Sequence, residues 1–212
     1  MNYDATQIHL PKGRKTMSFV PAFEIGVWNA WIFMVAWLFS HVVPLDWPIL
    51  RYDIKAMYKK SGASPPYNKT EKIISNFGTV IWVILFIYSV FLPLPLGMPL
   101  IYVGIALFVV GFVLAEIAFI PWKTTPFDEP ITRGLYRYSR HPVYIGVFVQ
   151  YIGIGIASAS GLFLLLIIIS IALSILILPA EERYCLDKYG DTYREYVDRT
   201  PRWIGLPKFI TR

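Results

Sequence analysis

The fold is decided by residues 143–178, VYIGVFVQYIGIGIASASGLFLLLIIISIALSILIL, a stretch of the chain without a single charged side chain. A helix needs about 20 residues to cross the hydrocarbon core of a bilayer, so the stretch is too long for one crossing. Residues 158–161, Ser-Ala-Ser-Gly, divide it with residues that favour a turn. The stretch therefore predicts two membrane helices, 143–157 and 162–178, that form a tight antiparallel hairpin.

Three more apolar runs precede the hairpin, at residues 22–43, 73–92 and 100–120. Each is long enough to span a membrane. The composition agrees, because 56% of the residues are hydrophobic and only 16% are charged, against about 25% charged residues in soluble domains. We therefore predict an all-α integral membrane protein with five transmembrane helices. We expect one membrane domain over residues 1–212, with three N-terminal helices in residues 1–120 and the loop, hairpin and tail in residues 121–212.

The basic residues predict how the chain is oriented in the membrane. Of the 20 Lys and Arg residues, 17 fall in residues 44–72, 121–142 and 179–212, which five crossings place on one side. Cytoplasmic segments carry such an excess. We expect a multi-pass protein with its N-terminus outside and its C-terminus in the cytoplasm. The net charge of +6 therefore indicates a membrane surface rather than nucleic acid as the partner.

Metal and dinucleotide chemistry find little support in the sequence. Cys185 is the only cysteine, and His9, His41 and His141 are too far apart for metal-ligand spacing, so we expect no metal. Gly153-x-Gly155 resembles part of a dinucleotide-binding fingerprint, but it lies within a predicted membrane helix and follows no strand. We interpret it as a site of close helix packing.

The tail after the hairpin, residues 180–212, has a different composition from the rest of the chain. Its apolar positions recur at helical spacing, at Leu186, Tyr189, Tyr193 and Tyr196, and Gly190 supplies a stop between them. The pattern predicts two short amphipathic helices on the cytoplasmic side.

The hairpin itself predicts a cluster of polar residues. An antiparallel pair of helices places the start of its first arm beside the end of its second. Arg140, His141 and Tyr144 are therefore expected to lie next to Glu181 and Glu182. Such a cluster suits a zwitterionic ligand, with Arg or His on its carboxylate and Glu on its ammonium group.

Two motifs in this region resemble a known family. Residues 134–146, GLYRYSRHPVYIG, are similar to the G-x-Y…R-H-P-x-Y-x-G signature of membrane methyltransferases related to isoprenylcysteine carboxyl methyltransferase and phospholipid methyltransferase. Glu181-Glu182 and the tail after it, through Leu186, Tyr189, Tyr193, Tyr196 and Arg202, resemble the second half of that pattern. The resemblance covers about residues 126–207.

The resemblance implies that the chain binds S-adenosylmethionine and methylates a lipophilic acceptor from the bilayer at the cytoplasmic interface. The cofactor-binding loop would lie within residues 121–212. The positions that match cofactor-contacting residues of the family are Ile131, Tyr136, His141, Pro142, Val143, Tyr144, Glu181 and Glu182.

Three residues are candidates for acid–base catalysis or for orienting the acceptor: Arg140, Glu182 and Glu116. Glu116 lies inside an apolar run, where an ionised carboxylate costs about 2.5–3.5 kcal/mol, so it is a functional candidate. Alternatively, Glu116 reaches the interface or pairs with Lys123. The arginines also suit lipid headgroups, and Glu181 and Glu182 suit the first turn of a helix after Pro179.

One position departs from the family pattern. Isoprenylcysteine enzymes carry a substrate-facing arginine four residues before the cofactor-binding glutamate, whereas this chain has Ile177. We therefore expect a lipid amine, or another neutral or thiol nucleophile, rather than a prenylcysteine carboxylate. Two alternatives remain open: a membrane reductase that uses NADPH and resembles sterol reductases, and a small lipid-binding membrane protein without enzymatic activity.

Overall fold

The fold is known from a computed structural model, which describes residues 17–20, 24–41 and 65–207. Within these ranges the chain is helical, with two isolated β-bridges and no strand, so the predicted all-α class is confirmed. The helices are α1 (Trp31–His41), α2 (Lys69–Val90), α3 (Pro99–Thr124), a 3₁₀ helix (Gly134–Arg137), α4 (Pro142–Ala157), α5 (Gly161–Tyr189) and α6 (Asp191–Arg199).

Three of these helices are long and apolar enough to cross a membrane: α2, the part of α3 from Pro99 to Pro121, and α5. The chain is thus a membrane protein. Helix α4 is apolar but has only 16 residues, which at 1.5 Å per residue is shorter than a hydrocarbon core of about 30 Å.

The first predicted span, residues 22–43, is not confirmed. Helix α1 begins only at Trp31 and has 11 residues, while residues 24–30 lack helical structure. Their hydrogen bonds go instead to the end of α2 and the loop after it: the Asn29 side chain donates to Val90 O at 2.7 Å, and Ala30 N–H donates to Leu92 O at 2.9 Å. Residues 22, 23, 42 and 43 lie outside the described ranges.

The fifth helix extends well beyond the predicted end at residue 178. Helix α5 continues through Pro179 to Tyr189. A proline within a helix removes one backbone hydrogen bond, but a membrane helix tolerates that loss. The first of the two predicted tail helices is thus wrong as a separate element, because its residues form the last turns of α5. Gly190 then ends the helix with a positive φ of 56°, a conformation that glycine adopts readily.

Glycines bring α3 and α4 into backbone contact. A Cβ atom at Gly111 of α3 would lie 2.4 Å from the backbone nitrogen of Gln150, and one at Gly146 of α4 would lie 2.6 Å from that of Ala115. Gly104 and Gly153 are equally close to the opposite helix, so close packing at Gly153 is confirmed. Because small residues let membrane helices approach, α3 positions the start of α4 firmly.

The predicted hairpin of α4 and α5 is present, with its turn at residues 158–160. Ala159 adopts a positive φ of 50°, and the Ser160 side chain caps α5 by accepting from Phe163 N–H at 3.2 Å. Helix α5 packs against both α4 and α2. The end of α5, the start of α4 and the end of α3 therefore meet at one end of the bundle.

Candidate functional site

The loop between α3 and α4 is shaped by a single glycine. Gly134 has a φ of 61°, and a Cβ atom there would approach Pro121 Cγ of α3 to 2.9 Å. The 3₁₀ helix that begins at Gly134 directs Tyr136 into the protein, where its side chain is buried. The hydroxyl of Tyr196 on α6 donates to Tyr136 O at 2.8 Å and thereby holds the loop against α6.

The chain after α6 returns across the same loop. Arg140 N–H donates to Pro201 O at 3.0 Å, and Gly205 N–H donates to Tyr138 O at 3.0 Å. Ser139 Oγ donates to Arg202 O at 3.2 Å and accepts from His141 N–H at 3.0 Å. Four contacts thus fix the backbone of residues 138–141 directly before α4.

Glu182 on α5 is the centre of a charged cluster. It accepts from Arg140 Nη1, His141 Nε2 and Arg202 Nε, each at 3.0 Å, and from Arg202 Nη2 at 2.5 Å. The side chains of Glu182 and Arg140 are each only 12% exposed. Two guanidinium groups share one carboxylate, so the cluster keeps an excess positive charge. The hydrogen bond to Glu182 also raises the pKa of Arg202.

The neighbouring carboxylate, Glu181, has a different environment. Tyr144 donates its hydroxyl to Glu181 Oε1 at 2.5 Å. Consecutive glutamates on a helix point about 100° apart, since a turn contains 3.6 residues. Glu182 therefore contacts Arg140 and His141, while Glu181 contacts the aromatic residue Tyr144 of α4.

These elements enclose a cavity of about 240 Å³ at this end of the bundle. The volume is close to the lower limit of about 300 Å³ for small-molecule sites. Seven residues that were predicted from the sequence line it: Ile131, Tyr136, Arg140, His141, Val143, Tyr144 and Glu181. The cavity thus has a guanidinium group at Arg140 and a carboxyl group at Glu181 in its wall.

Six further lining residues were not predicted as site residues: Phe119, Pro130, Cys185, Tyr189, Tyr193 and Tyr196. The three tyrosines belong to the tail motif, so the sequence contained a signal for them. No sequence pattern marked Phe119, Pro130 or Cys185 as site residues, because their place in the site depends on how α3 and α5 pack. Burial raises the pKa of Tyr136, Tyr193 and Tyr196, so their hydroxyls stay neutral at physiological pH.

Several other residues singled out in the sequence lie outside the cavity wall. Pro142 is buried in the first turn of α4, and Ile177 is buried within the bundle. Glu182 lies behind Arg140 and His141 and holds both. Glu116 lies one turn before Phe119 on α3, and its Oε1 is buried without a hydrogen-bond partner. The side chain of Lys123, its suggested partner, lies outside the described residues.

In residues 17–20, 24–41 and 65–207, no three His, Cys, Asp or Glu side chains are grouped in a way that could hold a metal ion.

Comparison with known proteins identifies one family. The model of the phospholipid methyltransferase family matches residues 94–192, which run from the loop before α3 into α6 and contain most of the cavity wall. No curated protein matches the chain.

Proposed function

We propose that this protein, whose residues 94–192 belong to the phospholipid methyltransferase family of integral membrane methyltransferases, transfers a methyl group from S-adenosylmethionine to a lipophilic acceptor at the cytoplasmic face of the membrane. The observation that carries the proposal is the cavity at the mouth of the hairpin, where Arg140 presents a guanidinium group and Glu181 a carboxyl group to the same space. The cofactor, its binding residues and the acceptor are all parts of the proposal.

The residues present fit the zwitterionic end of S-adenosylmethionine. Arg140 lines the cavity, and its Nε is buried without a hydrogen-bond partner, so it retains a donor for a carboxylate. His141 lies beside it, while Glu181 offers a carboxylate to an ammonium group. Charge-assisted hydrogen bonds of this kind are stronger than those between neutral groups.

The aromatic residues fit the rest of the ligand. Tyr136, Tyr144, Tyr189, Tyr193 and Tyr196 all line the cavity. Aromatic faces attract cations such as a sulfonium and also pack against flat heterocycles. Ile131 and Val143 add apolar surface. We assign cofactor contacts to these cavity residues, with Pro142 and Glu182 supporting them from behind.

Bound S-adenosylmethionine would supply an electrophilic methyl group on a positively charged sulfur. The protein's part is to exclude water and to align the acceptor with that group, because a charge-dispersing displacement is favoured in a poorly solvated, preorganised site. The buried tyrosines exclude water from one side. The apolar helices α2, α4 and α5 offer the lipid tail of an acceptor a path from the bilayer.

Of the three proposed catalytic residues, Arg140 is best placed to touch a ligand, since it lines the cavity. Glu182 is engaged by Arg140, His141 and Arg202, and we propose that it acts by positioning them. Glu116 is proposed to orient the acceptor or accept a proton from the α3 side, near Phe119.

We further propose that residues 121–212, completed by Phe119, form the cofactor-binding half of a single membrane domain. The remaining helices support it and receive the acceptor. Ile177 is apolar and buried, and it offers no cation to an acceptor carboxylate. An amine, thiol or neutral nucleophile on a lipid is therefore the acceptor that we propose.

Equilibrium binding of radiolabelled S-adenosylmethionine to the detergent-purified protein tests the cofactor, with NADPH as the competing ligand. We expect saturable binding of S-adenosylmethionine and none of NADPH. Retention of NADPH instead would favour a reductase, and binding of neither would favour a lipid-binding protein. Incubation with labelled cofactor and either a total lipid extract or prenylcysteine then tests the acceptor. Base-labile ester formation on prenylcysteine, without label in the lipids, would contradict the proposed acceptor class.

A further inference from the structure

The turn of the α4–α5 hairpin, at the end of the bundle opposite the cavity, is covered by an earlier part of the chain. Ser18 N–H donates to Ala159 O at 3.1 Å, and Gly161 N–H donates to Ser18 O at 2.9 Å. Leu162 N–H donates to Phe19 O at 2.8 Å. The backbone of this earlier part therefore lies directly against the turn.

These contacts complete the hydrogen bonding at the start of α5. The first N–H groups of a helix have no partner within the helix. The next two after Leu162 are also paired, because Phe163 N–H donates to Ser160 Oγ at 3.2 Å and Leu164 N–H donates to Ser160 O at 3.1 Å. In the turn itself, Ala159 N–H donates to Ile156 O at 3.0 Å. The first turn of α5 thus has a protein partner for each of its N–H groups.

The end of α2 is paired in a similar way. Glu24 N–H donates to Phe91 O at 3.2 Å, and Leu94 N–H donates to Trp28 O at 2.9 Å. The Asn29 side chain adds the bond to the last carbonyl of α2 described above. Backbone groups at two helix ends therefore bond to protein where water could have served in an aqueous loop.

Residues 17–20 and 24–30, here called the N-terminal segment, expose large apolar side chains. Ile25 is 81% exposed, Val27 is 73% exposed and Trp28 is 64% exposed. A contiguous apolar surface of this kind marks an interaction site, because contact with water is unfavourable for it. The segment thus combines paired backbone groups with an unpaired apolar surface.

This apolar surface is continuous with the surfaces of the membrane-spanning helices. Exposed apolar side chains follow it near the end of α2 at Ile87 and near the starts of α3 and α5 at Tyr102 and Ile168. Helix α4 has 16 residues and a length of about 24 Å, against a hydrocarbon core of about 30 Å. With the charged cluster at the start of α4 held at one interface, the hairpin turn does not reach the other.

Charges limit how deep this end of the bundle can lie. Glu24 is the only charged residue in residues 17–20, 24–30, 91–98 and 158–161, and its side chain is exposed. An ionised carboxylate is costly in hydrocarbon, so Glu24 belongs at the lipid headgroups. Three basic residues precede the segment in the sequence, outside the described residues: Lys12, Arg14 and Lys15. Their long side chains also favour the headgroup level, which places the apolar side chains just below it.

We propose that the N-terminal segment is embedded in the membrane, where its exposed side chains contact lipid acyl chains and its backbone seals the hairpin turn. The leaflet concerned is the one at the end of the bundle opposite the cavity. Inside a bilayer every backbone polar group needs a partner within the protein, because lipid tails offer none. The observed pairing at the start of α5 and the end of α2 meets that requirement.

The accessibility of nitroxide spin labels in phosphatidylcholine vesicles tests the proposal with the full-length protein. Oxygen concentrates in hydrocarbon, whereas a polar nickel complex stays in water. In a Cys185→Ser background, labels are placed at Val27→Cys and Leu96→Cys, with Val83→Cys on α2 as the lipid-facing reference and Asp191→Cys on α6 as the aqueous one. We expect oxygen accessibility to exceed nickel accessibility at positions 27, 96 and 83, and the reverse at position 191.

Two asparagine variants test whether the hydrogen bonds hold the segment in place. Asn29→Ala removes the donor to Glu24 O and to Val90 O, so nickel accessibility at position 27 should rise. Asn68→Ala is the matched control, since it removes a side-chain cap from the opposite end of α2. It should leave position 27 unchanged. The label at position 83 should give the same reading in both variants, which shows that α2 remains in the membrane.

Three results would overturn the proposal. Nickel accessibility above oxygen accessibility at positions 27 and 96 would place the segment in water. Low accessibility to both reagents would show that protein, and not lipid, covers the surface. Equal readings at position 27 in Asn29→Ala and Asn68→Ala would remove the sealing role from the hydrogen bonds. If the Val27→Cys protein does not fold, the reading at position 96 decides between lipid, water and protein.

Discussion

His141 Nε2 lies 3.0 Å from Glu182 Oε1, although 41 residues separate them in the chain. The same carboxylate binds Arg140 from the loop and Arg202 from the segment after α6. Glu182 thus ties three parts of the chain together at the edge of the cavity. The hairpin makes this possible, because it returns the end of α5 to the start of α4.

Glu182→Gln should destabilise the protein, since the amide removes the negative charge that three cationic or polar groups share. Removing one partner of a buried ion pair costs about 3–5 kcal/mol, and the partial exposure of Arg202 places the expected loss near the lower end. Thermal unfolding in detergent measures it. Arg194→Gln, which breaks an exposed pair with Asp191, is the control and should leave the melting temperature unchanged. Equal melting temperatures for the two variants would contradict the central role of Glu182.

His141→Ala and Glu181→Ala should each weaken the binding of S-adenosylmethionine, because each removes one partner of a proposed charge-assisted contact. Such a loss costs about 1.5–3 kcal/mol, or roughly a tenfold to hundredfold increase in Kd. Calorimetry with the purified protein measures it. Tyr144→Phe keeps the ring and removes only the donor to Glu181, so we expect a smaller loss of affinity. Unchanged affinity in both alanine variants would show that the site is assigned wrongly.

Gly111→Ala should separate α3 from α4, because the new methyl group would lie 2.4 Å from the backbone nitrogen of Gln150. Overpacking of this kind costs about 1–3 kcal/mol. Gly78→Ala is the matched control, since apart from the neighbouring residues and backbone of its own helix no atom lies within 4 Å of a Cβ at that position of α2. It should stabilise the protein by about 0.5–1 kcal/mol, because alanine is the better helix former. A Gly111→Ala protein as stable as Gly78→Ala would argue against direct backbone contact between the two helices.

The charge distribution predicts that positions 123 and 191 are both cytoplasmic. Single cysteines at these positions, in a Cys185→Ser background, should react with a membrane-impermeant reagent only from the cytoplasmic side. Right-side-out and inside-out vesicles give the two measurements. Labelling of the two positions from opposite sides would contradict the five-span topology.

Local patterns were enough to predict much of the fold. The uncharged stretch of residues 143–178 with its Ser-Ala-Ser-Gly turn predicts the α4–α5 hairpin, because apolar length and turn residues act over short distances. The same rules did not predict that residues 24–30 are not helical, although the run of residues 22–43 is apolar enough for a span. Asn29 and Ala30 instead hydrogen-bond to the last residue of α2 and to the loop after it. These hydrogen bonds take the place of helical ones, and their partners lie more than 60 residues away in the sequence.

The pairing of His141 with Glu182 illustrates what could be inferred about the site. The hairpin implies that the two residues are neighbours, and the methyltransferase motifs single out both. Neither predicts that Glu182 lies behind the cavity wall while Glu181 lines it. The two glutamates differ in position because of the way α5 is rotated about its axis. The packing of α5 against α2 and α4 sets that rotation.

The sequence by itself determined that this is a helical membrane protein with a polar cluster at one hairpin mouth, because hydrophobic length and residue type are properties of local segments. Tertiary structure alone decided that α5 continues through Pro179, so that a membrane helix carries both glutamates into the site. It also decided that Phe119, Pro130 and Cys185 line the cavity and that Arg183 joins Glu71. These contacts depend on packing between segments up to 112 residues apart, and no local pattern encodes such distances.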